Sequence, residues 1–501
     1  MILAEGRASG KMTVNNVNHD RVRRAGYLSQ FSKKLTAAAP FILLIAAFAM
    51  TAFLGGLWAG IYSQSAADMV HAAGNAYHTL ADKFADRSIF ARQASDISPS
   101  QLAQYRVIVK VPVDDKSDFL LGGGPGQYLD YCPGTGCAAV ILRRDGSLAH
   151  AYPFRPDEFA KKRTLELPYQ EFMYDDAKDT GIIGLKALPN GDLIAVLDLQ
   201  GTSPYGGGVA RLDKDGHVLW YRRDYSDHWP SLTDRNEILS ISHKLENPPT
   251  DEHFPDGTSM RLACPADKFA DLIRVLGLDG SVKEEIPLLD AVRSSPYVSH
   301  LAQTFDIIGQ SQSGCDLLHT NSVNLVGMEM AAKLKDVQPE DLLVSFRNIS
   351  ALAIVGRADH KLKHFFRGTF LYQHSAEVAP GGDIILFDNV GGGGRSSRVL
   401  LYDPATGAER QIFPGPMTPK ELGIYNRNGG KIDISADGMR ALVAFYNYGK
   451  AYEMSLTDGT VLTEFDNVHD VHTMPQFTKD PKKVRYFVQG GVYYVPPNLV
   501  H

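Results

Sequence analysis

From Cys137 onward the chain alternates apolar and polar positions in short runs that repeatedly end at Asn-Gly or Asp-Gly. The stretches "VILRRDGSLAHAY", "LPNGDLIAVLDL", "VARLDKDGHVLWYRR", "IRVLGLDGSVKEEI", "IDISADGMRALVAFY" and "YEMSLTDGTVLTEF" each read as strand, tight turn, strand, because a period of two marks a pleated face and these dipeptides suit hairpin turns. Helical periodicity is nearly absent. The hairpins group into units near 183–223, 232–287, 317–367, 374–413 and 430–466, and 470–497 supplies half a unit. The missing half stands at the front. Joining "CAAVILRRDGSLAHAY" to "VRYFVQGGVYYVP" closes a ring of six four-stranded blades, an all-β six-bladed β-propeller that leaves no long exposed sheet edge. A pair of β-sandwiches is the alternative, and it suits so many similar units less well.

The first part of the chain has another pattern. Leu35 to Ala67 carries no charged residue, and a bilayer needs roughly 20 apolar residues in a helix, so a transmembrane helix is expected over 35–64. Arg21, Arg23, Arg24, Lys33 and Lys34 precede it and Asp68 is the first charge after it. The positive-inside rule then leaves 1–34 as a cytoplasmic basic tail and exports the rest. A cleaved signal peptide competes, but its apolar core runs to only about 7–15 residues. "GLWAG", Gly56 to Gly60, has helix-dimer spacing and makes a homodimer testable. Residues 65–131 read as a stalk helix, Ala66 to Arg87, and a lead-in with the strand candidate "YRVIVKVPV"; 132–501 reads as the propeller.

A chain of 501 residues with 44% hydrophobic content can bury a large core. Its net charge is −6, and because the basic tail holds seven Lys/Arg against two Asp/Glu, the remainder sums to about −11. That excludes a nucleic-acid-binding body. The four cysteines lie in the exported part, where disulfides form readily: "CPGTGC" predicts a Cys132–Cys137 staple, and Cys264 with Cys315 is a candidate second bridge. No second pair has zinc-ligand spacing, so neither a metal nor an organic cofactor is expected.

Propeller inner strands line a central channel, so functional residues should recur about one blade apart. His228 in "SDHWPSL", His319 in "DLLHTNSVNLV" and His374 in "YQHSAEV" have that spacing, and Arg347 in "LLVSFRNIS" stands between the last two. Taken singly, each histidine is explained as a strand-end residue. Together, three imidazoles and a guanidinium make an anion site with acid, base and nucleophile options.

In that order, "DLLHTNSVNLV", "LLVSFRN", "YQHSAEVAPGGDIILFDN" and "SSRVLLYD" resemble the bacterial aryl sulfotransferases that do not use a phosphoadenosine donor, over roughly Gly184 to Phe465. The resemblance implies a six-bladed periplasmic propeller on the inner membrane, moving a sulfuryl group from an aryl sulfate to a phenol. It implies that His374 is the nucleophile and carries a sulfo-imidazole, that His319 and Arg347 bind the sulfate oxygens with Asn321 as a further donor, and that His228 is the acid/base. Two motifs depart from the family. Ser375 follows His374 where an acidic residue is usual, so the orienting carboxylate is expected elsewhere, with Glu377 the candidate. The usual His-His-Asp reads Asp227-His228-Trp229. The alternative function is therefore a membrane-anchored propeller that binds a partner protein or an anionic ligand without turnover.

Other motifs carry less. "GGGGRSS", Gly391 to Ser397, lacks the Lys and the helix of a phosphate loop and reads as a strand connection. Asp388, Asn389 and Arg398 read as residues that fix a blade, and His469 and His472 as loop and strand surface. Asp215-Gly216 is explained as a hairpin turn without calcium. A formylglycine sulfatase is excluded, since no cysteine here has x-Pro-x-Arg after it.

Overall fold

Six sheets follow one another around a ring. The computed structural model describes residues 106–124, 126–165, 180–199, 206–246, 251–253, 259–261, 268–303, 315–392, 396–418, 425–426, 428–445, 450–466 and 491–500. Blade one is Val492–Val495, Asp118–Gly122, Cys137–Leu142 and Leu148–Pro153; blade two is Thr180–Ala187, Leu193–Leu199, Gly206–Leu212 and Val218–Arg223. Blade three is Asp227–Leu232, Ile238–Glu246, Lys268–Leu276 and Val282–Pro287, and blade four is Thr320–Leu325, Leu342–Phe346, Ala351–Val355 and Leu362–Phe366. Blade five is His374–Val378, Ile384–Asp388, Arg398–Tyr402 and Glu409–Phe413; blade six is Lys431–Ile434, Arg440–Phe445, Lys450–Ser455 and Val461–Asp466.

All six quoted hairpins form. Their turn glycines, Gly146, Gly191, Gly216, Gly280, Gly438 and Gly459, hold φ between 68° and 85°, the left-handed region a side chain enters only at a cost. Asp side chains brace these turns; Asp145 Oδ1, for example, accepts from the backbone N–H of Ser147 at 2.8 Å.

The ring closes by pairing Val492–Val495, antiparallel, with Asp118–Gly122. This is the expected closure, with one correction to its boundaries. Strand Asp118–Gly122, read as lead-in, is the second strand of blade one, and Arg106–Val109 adds an outer fifth strand to blade six. The propeller thus takes in chain ahead of residue 132, because an inner C-terminal strand needs three N-terminal strands to complete a blade. The third unit also begins at Asp227, so His228 lies inside its inner strand rather than before it. The Cys132–Cys137 disulfide is present at a Cα separation of 5.3 Å. The expected membrane helix, the stalk helix, Cys264, His469 and His472 lie outside the described residues, as does the side chain of Cys315. Among the described residues no helix is long and apolar enough to cross a membrane.

An apolar core lies between each neighbouring pair of blades. In Leu342–Phe346, Leu342, Val344 and Phe346 face blade three while Leu343 faces blade five. In Ile384–Asp388, Ile384 and Leu386 face blade four while Ile385 and Phe387 face blade six. Both faces of these strands are covered, which is why they are written as continuous apolar runs. Gly184, on the inner strand of blade two, lets blade three approach: a Cβ there would stand 2.2 Å from the carbonyl oxygen of His228.

Candidate active site

The three histidines occupy equivalent places at the starts of the inner strands of blades three, four and five. Each start is irregular: pairing to the second strand shifts between Asp227 and Ser231, between Thr320 and Ser322, and between His374 and Glu377. His228, His319 and Ser375 have φ of 54°, 51° and 48°. A bulge with a left-handed residue re-aims the neighbouring side chain, and here it turns the imidazoles together. Ring centroids are 5.1 Å apart for His228 and His319, 5.9 Å for His228 and His374, and 6.3 Å for His319 and His374.

Around His374 the hydrogen bonds settle which nitrogen is basic. Asn389 Nδ2 donates to the carbonyls of Asn426 and Gly429, both at 2.6 Å, so its Oδ1 faces Nδ1 of His374 at 2.7 Å. The Tyr372 carbonyl lies 3.1 Å from the same nitrogen. Two acceptors there require the proton on Nδ1 and leave the lone pair on Nε2, toward which the Gly429 N–H points at 3.3 Å. Burial first, then Arg347 and the two other histidines, hold His374 well below the ordinary imidazole value. Near pH 7 it is a neutral imidazole with its lone pair on Nε2.

His319 is held by Asp316, which accepts from its backbone N–H at 2.9 Å and from Nδ1 at 2.5 Å. Burial sets His319 below its ordinary value against the pull of Asp316, while Asp316, despite its own burial, is kept low by His319. With Nδ1 donating to Asp316, the lone pair of neutral His319 is on Nε2. The backbone N–H of Arg347 donates to the His319 carbonyl at 3.3 Å. Its guanidinium lies 4.9 Å over the Tyr372 ring and donates to Asn348 and to Asn428, each at 2.9 Å.

His228 has Asp227 as its carboxylate, with Nδ1 and Oδ1 at 3.0 Å but off the line of a good hydrogen bond. The Asp that the family pattern puts after the histidine thus comes before it. Trp229, in the usual Asp position, packs edge-on against His228 at 5.6 Å and His374 at 6.3 Å, with the Lys431 ammonium 5.9 Å over its ring.

Two expectations change. Glu377 does not orient His374: it pairs with Lys431 and accepts from Ser375 Oγ at 3.0 Å, and Ser375 Oγ also accepts from the Ile432 N–H at 2.9 Å, tying blade five to blade six. Asn389 does that work instead and is more than a blade-fixing residue. Asp388 and Arg398 are paired as expected, Nε donating to Oδ2 at 2.8 Å. Asn321 uses its amide nitrogen on the Gln373 carbonyl at 2.7 Å, bracing the strand that starts with His374. The segment around Gly391 connects two strands of blade five, also as expected. Sequence reading missed Asp316, three residues before His319 within a quoted motif, and His243, whose signal is a polar "SISHK" run in a buried strand.

Imidazole nitrogens of His228, His319 and His374 lie within 4.8 Å of one another and could ligate a metal. Nitrogens of a tetrahedral zinc site stand about 3.4 Å apart. The Arg347 charge, which acts on both His319 and His374, suits the same cluster to an oxyanion.

A family model described as arylsulfotransferase (ASST) matches residues 184–468. No match is found among curated proteins. Solved structures that match in part include a protein of unknown function from Bacteroides caccae, 10% identical, covering 76% of this chain and 99% of that one at a TM-score of 0.39. Virginiamycin B lyase from Staphylococcus aureus is 12% identical, with 59% and 74% covered and a TM-score of 0.32. The Cps50 (Swd1) β-propeller domain of Myceliophteria thermophila is 11% identical, with 66% and 82% covered and a TM-score of 0.35. At these values the likeness says nothing about activity.

Proposed function

Because the chain belongs to the arylsulfotransferase family, we propose that it moves a sulfuryl group from an aryl sulfate to a phenol by way of a sulfo-histidine at His374. The observation that carries this is the unprotonated Nε2 of His374, which faces a pocket of two further imidazoles and Arg347.

In the first half-reaction Nε2 of His374 attacks sulfur, the N–S bond forms and the S–O(aryl) bond breaks. The leaving oxygen takes the electron pair and a proton from Nε2 of protonated His228. In the second half-reaction the acceptor phenol attacks the sulfo-histidine and gives its proton back to His228, and the N–S bond breaks. His319, protonated as the anion binds, and Arg347 offset the charge on the sulfuryl oxygens. Asn321 acts by holding the backbone ahead of His374. The residues supply every role without an organic cofactor.

The location belongs to the same reading: residues 35–64 anchor the chain in a bacterial inner membrane and the propeller works in the periplasm, a view supported by the charge asymmetry across the apolar segment. The test is initial-rate kinetics with a chromogenic aryl sulfate against a phenol acceptor. Parallel double-reciprocal lines are the ping-pong result. Absence of phenol release across several donors would leave an anion-binding propeller.

A further inference from the structure

A buried chain of charged groups runs from the acid/base histidine into blade three. His243 stands on the second strand, fully enclosed, with Nε2 3.0 Å from Asp227 Oδ2 and Nδ1 3.5 Å from Asp271 Oδ1. Asp271 faces it from the third strand, as the register His243↔Asp271 requires. The other oxygen of Asp227 is the one 3.0 Å from Nδ1 of His228. Asp271 Oδ2 accepts from the N–H of Thr320 at 2.8 Å and from its hydroxyl at 2.5 Å, and Thr320 follows His319. The sequence of contacts is His228, Asp227, His243, Asp271, Thr320.

Two enclosed carboxylates on either side of one imidazole are tolerable only if the imidazole is charged. Burial opposes that charge, yet Asp227 and Asp271 raise His243 well above its ordinary value. Burial likewise opposes ionisation of Asp227, and the flanking His228 and His243 bring it down to about 2. An apolar trio would be the simpler filling for a blade interior, since enclosed ion pairs add little net stability. The charges are instead spent on the orientation of one carboxylate.

We propose that His243 is a positioning residue for proton transfer by His228: its N–H fixes the Asp227 carboxylate, which in turn orients the His228 ring and stabilises its imidazolium. This rests on the sulfuryl-transfer reading above. His243 touches neither donor nor acceptor, so its effect must scale with how much the leaving phenolate needs a proton.

The experiment measures phenol release by the full-length protein from aryl sulfates whose phenols span a wide range of acidity, in wild type, His243→Leu, His243→Gln and Asp227→Asn. General acid catalysis is worth about 10²–10⁴-fold. His243→Leu should therefore lose about 100-fold on alkylphenyl sulfates and less than about 5-fold on nitrophenyl sulfates. His243→Gln, which keeps an N–H toward Asp227, should recover most of the loss, and Asp227→Asn should steepen the dependence as His243→Leu does. An equal loss on every donor, or none, in the variants that fold would overturn the inference while leaving the ping-pong reading intact. A wild type that releases no phenol from any donor would overturn both.

Discussion

Asn389 Oδ1 stands 2.7 Å from Nδ1 of His374, and with the Tyr372 carbonyl it keeps the proton on that nitrogen and the lone pair on Nε2. The amide is locked by two bonds to the 426–429 segment, so it cannot turn its nitrogen to the histidine without losing both.

Asn389→Leu removes the acceptor and unties the segment that carries Gly429. Losing a buried hydrogen bond of this kind costs about 1–3 kcal/mol, or about 5- to 150-fold in rate. The expected outcome is that loss in kcat/KM for the donor with His374 still present, read in the chromogenic assay.

The depressed values of His374 and His319 make the pH dependence specific. Nε2 of His374 must be unprotonated, so the acid limb of donor kcat/KM should lie well below pH 6.5, the ordinary imidazole value. His319 must gain a proton to meet the sulfate oxygens, so inhibition by free sulfate should tighten as pH falls from 8 toward 6. A pH profile of both quantities on the same sample checks the opposite directions.

How much of this was legible in the chain depends on what each residue's neighbours are. The six hairpins could be read because turn chemistry and period are local, and His374, His319, Arg347 and His228 because their motifs are short and ordered. Asn389 could not be read: it follows the last residue of the second strand of blade five, and only the register His374↔Phe387 brings it beside the imidazole. Asp271 and Asp227 meet His243 from separate strands for the same reason. The first strands of the ring were misjudged since a strand's blade depends on where the far end of the chain returns.

Stability should respond to pH with opposite signs at two histidines. The folded value of His374 is depressed, so protons bind the unfolded chain more readily and the wild type loses stability as pH falls below about 6.5. The folded value of His243 is raised, so its contribution is fully present below about 6.5 and is lost as pH rises through that raised value. Relative to wild type, His374→Gln should gain stability at acid pH and His243→Gln should gain toward alkaline pH. Denaturant melts at several pH values separate the two trends.

Asp316→Asn should weaken donor binding more than turnover. It leaves His319 without the carboxylate that favours its protonated form, so KM for the aryl sulfate rises by about 10-fold or more while kcat moves little. The split between KM and kcat is the readout.

The most direct measurement is intact-mass and peptide-level mass spectrometry of the full-length protein, quenched shortly after mixing with an aryl sulfate and no acceptor. The account predicts one sulfuryl group per chain, mapped to His374, discharged on adding phenol and missing from His374→Ala. An adduct on another residue, or phenol release at full rate by His374→Ala, would contradict it.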